Sequence, residues 1–122
     1  MQIHLVDGTY ELYRQHFGQA TRHSDPPPFA GTIGVLTSTI QLLQDGATHI
    51  GVATDHVIES FRNDLYDGYK TSEGMEPVLL EQIPILEDAL RAMGVTVWAM
   101  EKYEADDALA SAAAVACEDR TV

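Results

Sequence analysis

Residues 49–55 read His49-Ile50-Gly51-Val52-Ala53-Thr54-Asp55, an apolar run that stops at an acid. Four to five apolar residues in a row, too few for a helix, predict a strand buried on both faces. The same pattern occurs at residues 3–8, where Ile3-His4-Leu5-Val6 meets Asp7-Gly8. A third such run covers residues 95–100, Val95-Thr96-Val97-Trp98-Ala99-Met100, and Glu104, Asp106 and Asp107 follow it. Between these runs the apolar period changes from continuous to helical. Leu12, Tyr13 and Phe17 predict a helix over 10–17. Ile33, Leu36, Ile40 and Leu43 predict another from Ala30, capped at Gly46. Glu76-Pro77 opens a third, with Leu79, Leu80, Ile83, Leu86, Leu90 and Met93 on one side and Gly94 at its end. Pro84 is expected to kink or split that helix. A last, alanine-rich helix is expected over 105–117. Residues 57–74 are mixed and polar, with no clean period.

Strands separated by helices define an α/β protein with a mainly parallel central sheet flanked by helices. The chain has 122 residues, which is the size of one domain. Arg120-Thr121-Val122 reads as the start of a fourth strand, so the sequence is expected to be truncated before it. One cysteine, Cys117, excludes an internal disulfide and a cysteine-based zinc site. No apolar run reaches the ~18 residues of a membrane span, and the first residues lack a signal-peptide layout. A cytoplasmic protein without a membrane partner is expected. Seven Lys and Arg against nineteen Asp and Glu give a formal net charge of −12. That argues against broad, non-specific phosphate binding, which needs many cations. It is compatible with carboxylates that hold divalent metal, or simply with solubility.

The placement of the acids is more specific than their number. Asp7 ends the first strand, Asp55 ends the second, and Glu104, Asp106 and Asp107 follow the third. Parallel strands end along one sheet edge, where α/β proteins bind ligands. Five carboxylates from three segments would meet there. Two such groups ~5 Å apart repel by roughly 3 kcal/mol at an effective dielectric of ~20. A hard divalent cation would relieve that, and all-oxygen ligands favour Mg²⁺ or Mn²⁺. Taken singly, each acid has an ordinary structural use. Asp7-Gly8 suits a turn, Asp55 suits a cap, and acids at a helix start suit its dipole. Phe61-Arg62, Tyr69-Lys70 and Arg14 are among the few cationic positions in this acidic chain. Cations near a carboxylate rim suit a phosphate.

These pieces together resemble the N-terminal, metal-binding part of the 5′–3′ exonuclease and flap endonuclease family, to which the 5′ nuclease domain of bacterial DNA polymerase I belongs. The likeness rests on Leu5-Val6-Asp7-Gly8-Thr9 with Leu12-Tyr13-Arg14, then Ala53-Thr54-Asp55 with Phe61-Arg62 and Tyr69-Lys70. It continues with Ala92-Met93-Gly94-Val95 and Tyr103-Glu104-Ala105-Asp106-Asp107. The resemblance implies a PIN-like α/β domain over residues 1–122 that hydrolyses DNA at 5′ ends, flaps or single strands. It implies Mg²⁺ or Mn²⁺, two ions in a full-length site. Asp7, Asp55, Glu104 and Asp106 would hold the first metal and Asp107 would lean toward the second. Lys70 and Arg62 would contact the scissile phosphate, and Arg14 and Tyr69 would help place the substrate. Residues 64–74 would belong to the family's helical arch. The chain departs from the family pattern at Tyr69-Lys70-Thr71-Ser72-Glu73, where an acid replaces the usual second cation. The family's next Asp pair and its duplex-gripping helices would lie beyond Val122, so the isolated chain is expected to be weak or inactive. Two alternatives remain: a non-catalytic nucleic-acid or partner-binding remnant of the fold, and a PIN-like ribonuclease. A receiver domain would need an acid pair after the first strand. A haloacid-dehalogenase-like phosphatase would need an acid at position 9, where Thr9 stands.

Overall fold

A computed structural model describes residues 1–22, 27–66, 68–69 and 76–118. Three strands form one parallel sheet in the order β1-β2-β3: β1 Ile3–Asp7, β2 His49–Asp55 and β3 Thr96–Met100. Val6 lies opposite Val52, which lies opposite Val97, so the three apolar runs are in step. The helices are α1 Gly8–Arg22, α2 Ala30–Gln44, α3 Arg62–Leu65, α4 Pro77–Ala92 and α5 Ala105–Glu118. The α/β class with a parallel sheet expected from the strand–helix alternation is what the chain adopts.

The two-residue period of a strand sorts the sheet's side chains onto two faces. Val52, fully buried, and Val6 and Val97 pack with Leu12, Val35, Leu79, Leu86 and Leu90 from α1, α2 and α4. The other face carries Leu5, Gly51, Trp98 and Met100 and is covered by α5. The small side chains of α5 cover it only in part, and Ala112 and Val115 border an apolar cleft of about 1100 Å³. Among the described residues no helix is long and apolar enough to cross a membrane.

In two helices the local sequence pattern and the packing differ. Ile33, Ile40 and Leu43 do not face the core; they are 56%, 46% and 46% exposed. The buried face of α2 is Ala30, Gly31, Thr32, Val35 and Thr39. Small residues let α2 approach α1 closely, and Gln82 of α4 fixes which face turns inward. Its Oε1 accepts the Thr32 amide at 3.1 Å and the Thr32 hydroxyl at 2.9 Å. A buried amide side chain with satisfied hydrogen bonds outweighs the isoleucine stripe. Secondly, α4 is not split at Pro84 but runs unbroken across it. Pro84 is exposed, so its ring is accommodated on the solvent face of α4. The mixed stretch after β2 contains the single turn α3.

Gly46 and Gly94 follow α2 and α4 with φ of +106° and +84°, the left-handed ending that glycine adopts without strain. Gly8 serves close packing instead. A Cβ there would lie 2.7 Å from Val52 Cγ1 and 3.0 Å from Thr54 Cγ2, both in buried residues. Gly8→Ala is therefore expected to destabilise the chain by about 1–3 kcal/mol through overpacking. Urea unfolding measures this, and an unchanged midpoint would mean that the start of α1 yields freely.

Candidate active site

The turn after β1 builds the first part of the site. Asp7 Oδ1 accepts the Tyr10 amide at 3.0 Å, which caps α1 and starts it directly at the strand end, two residues earlier than the apolar period indicates. Thr9 Oγ1 accepts the Asp55 amide at 2.8 Å and so ties this turn to the end of β2. Register places Asp7 opposite Ala53, and Asp55 extends one pleat further.

Asp55 is 7% exposed, and its Oδ1 accepts the Ala105 amide at 3.0 Å, at the first residue of α5. The acid that ends β2 thus caps the helix that follows β3. Asp107 Oδ2 accepts the Glu104 amide at 2.8 Å, the acid-to-cap half of a capping box. Both acids lie where the helix dipole favours negative charge.

Arg62 joins this cluster from α3. Its Nη1 and Nη2 each lie 3.0 Å from an oxygen of Asp107, and Nη1 also donates to Glu104 Oε2. Hydrogen bonding to Asp107 foremost, and to Glu104, holds the guanidinium protonated more firmly than usual, against the opposing effect of burial. The guanidinium carbon sits 4.5 Å above the centre of the Phe61 ring. The Phe61 amide donates to Lys102 O at 2.7 Å, and the Val57 amide donates to Met100 O at 3.2 Å. The chain after β2 is therefore held to the chain after β3, which brings Arg62 over the acidic start of α5.

Asp55, Glu104 and Asp107 are linked through adjacent backbone and Arg62, and Asp7 stands on the neighbouring strand end. Asp106 is exposed on the first turn of α5. Among the described residues, no three acidic, histidine or cysteine side chains are grouped so as to hold a metal ion as they stand. Arg14 is directed elsewhere: it pairs with Glu11 at 2.7 Å, and Glu11's hydrogen bond holds its charge more firmly. With Asp7, Glu11 and Ser38 it borders a cleft of about 370 Å³. Tyr69 is 49% exposed, and Lys70 lies outside the described residues.

Sequence reasoning missed two features. The spacing Glu104-x-x-Asp107 already signalled a cap, whereas nothing in the sequence marked Arg62 as its counter-ion. It also missed Glu87, 2% exposed on α4, whose Oε2 accepts the Thr54 hydroxyl at 2.5 Å and whose Oε1 lies 2.8 Å from His56 Nδ1.

An acidic rim at the carboxyl edge of a parallel sheet, capping the helices that rise from it, defines a class of α/β domain whose ligand side is that edge. The model of the 5′-3′ exonuclease, N-terminal resolvase-like domain matches residues 2–122, and the chain belongs to this family. It is 32% identical over 113 residues to DNA polymerase I of Bacillus caldotenax, covering 90% of this chain and 13% of that protein. It is 34% identical over 116 residues to a 5′-3′ exonuclease of Mycoplasma pneumoniae, covering 88% of this chain and 39% of the relative. A Bacillus subtilis 5′-3′ exonuclease is 29% identical over 116 residues, with 39% of its length covered. The chain thus spans well under half the length of these relatives.

The carboxylate repulsion expected at the rim is offset here by Arg62 and by the amides of Tyr10, Glu104 and Ala105. Asp55→Ala is therefore expected to lower stability in chelator-treated buffer by about 1–2 kcal/mol, the cost of a lost helix cap. Chemical denaturation with EDTA measures it. A stability gain would show that repulsion, not capping, dominates at this position.

Proposed function

We propose that the chain is the N-terminal part of a divalent-metal-dependent 5′–3′ exonuclease or structure-specific flap endonuclease that hydrolyses DNA phosphodiester bonds. The observation that carries this reading is the family match over residues 2–122 in a chain whose described strands β1 and β2 end on Asp7 and Asp55 and whose β3 is followed by Glu104, Asp106 and Asp107. Because the chain covers 39% of its exonuclease relatives, the complete activity is proposed for a longer protein of which this is one part.

The donor set fits a hard divalent cation. It is all carboxylate oxygen, which favours Mg²⁺ or Mn²⁺ over softer metals. The Arg62 guanidinium, a cation, already lies between Glu104 and Asp107. Asp7, Asp55, Glu104 and Asp106 would hold one ion, and Asp107 would lean toward a second. Bound there, such ions supply an activated water and stabilise the leaving oxygen. The chain's own cations do the positioning. Arg62 and Lys70 contact the scissile phosphate, where a guanidinium can bind two oxygens at once. Arg14 and Tyr69 help to place the strand, Tyr69 through its exposed ring. A cytoplasmic location goes with this reading.

Incubation with a 5′-flap DNA and Mn²⁺ or Mg²⁺ tests it. Slow, metal-dependent cleavage is expected, falling by roughly 100-fold or more in Asp7→Asn if that carboxylate holds the metal. Binding without product would favour a non-catalytic remnant. Preferential cleavage of an RNA strand would favour a PIN-like ribonuclease.

A further inference from the structure

Seven Lys and Arg serve a chain with nineteen acids, and Arg62 engages two of the rim carboxylates at once. The contact is not a deeply buried lock. The side chains of Arg62, Glu104 and Asp107 are 31%, 13% and 28% exposed, so water reaches the pair. An ion pair in such a setting exchanges partners readily. We propose that Arg62 is a positioning residue that competes with the divalent cation for Glu104 and Asp107, and so sets the metal affinity of the rim. This rests on the metal-dependent reading above.

Three features of the site support the exchange. Glu104 and Asp107 flank the first turn of α5, and the Asp107 carboxylate is also held by the Glu104 amide, so Asp107 keeps its place when Arg62 leaves. Phe61 is anchored separately, through its amide to Lys102 O and its ring 5.2 Å from that of Tyr103. Arg62 can thus swing without unfolding the chain that carries it. Finally, a guanidinium and a divalent cation on the same two carboxylates repel each other, and the doubly charged ion gains more from each oxygen. Arg62 then turns from the acids toward the nearest anion, which in the proposed reaction is the scissile phosphate. The same side chain thereby serves the rim before loading and the substrate after it.

Mn²⁺ binding by the chain, measured by the EPR signal of the free ion at low salt and neutral pH, tests this without reference to activity. Arg62→Gln removes the competing charge and is expected to tighten Mn²⁺ binding by roughly tenfold. Arg62→Lys keeps the charge but gives up the two-pronged contact with Asp107, and a smaller gain, about two- to threefold, is expected. Added salt should shrink the difference between the wild type and Arg62→Gln. Unchanged or weaker binding in Arg62→Gln would overturn the proposal, since Arg62 would then arrange the donors rather than compete for them. If circular dichroism shows that Arg62→Gln does not fold, Arg62→Lys decides by the same criterion. Equal Mn²⁺ affinity in all three chains sinks this proposal alone. No Mn²⁺ binding in any of them sinks it together with the metal-dependent reading.

Discussion

The hydrogen bond from the Ala105 amide to Asp55 joins the end of β2 to the start of the helix that follows β3. Asp55 also donates its own amide to Thr9, in the turn after β1. One residue thus ties the end of β2 to the starts of the helices that follow β1 and β3. Its burial makes these bonds matter, because a buried carboxylate or amide without a partner costs more than the bond itself contributes. The relative placement of Asp7, Glu104 and Asp107 depends on that junction. A rim assembled from loops alone would have no comparable constraint.

Charge is the second constraint. The rim gathers acids in a chain that already carries a net charge of −12. It remains compatible with folding because Asp7, Asp55, Glu104 and Asp107 each meet a partial or full positive charge. Helix starts provide amides at Tyr10, Glu104 and Ala105, and α3 provides a guanidinium. The fold and the charge balance are therefore one problem. The strands bring the acids to the edge, and the helices that leave the edge turn their positive ends to them.

The sheet was legible because its strands are short apolar runs that stop at acids, and the buried face of α4 because its leucines and isoleucines keep a 3.6-residue period. The face of α2 was not, since Thr32, Thr39 and Gly31 carry little apolar signal. Their burial is decided by α1 and by Gln82 of α4, more than 40 residues away in the chain. The site shows the same division. That acids from three segments stand at strand ends could be read from local pattern. That Arg62 would be their counter-ion could not, because its place depends on the Phe61 amide reaching Lys102 O, a pairing between two connecting segments with no period of their own.

Capping and metal ligation look like rival explanations for the same acids, yet the chemistry of a carboxylate allows both. It has two oxygens and about four lone-pair sites, and a cap occupies one of them. A capped carboxylate is also better prepared to ligate. Its rotamer is fixed by a bond to a rigid helix, so less side-chain freedom is lost when a ligand arrives. Asp55 shows the logic most clearly, being held by Ala105 through Oδ1 and anchored by its amide to Thr9. An acid that only neutralised a helix dipole could sit anywhere on an exposed first turn. Asp55 instead stands on a strand, buried, and caps a helix 50 residues further along the chain. Ordinary capping does not need such placement, whereas a site that must hold several oxygens in fixed relation does.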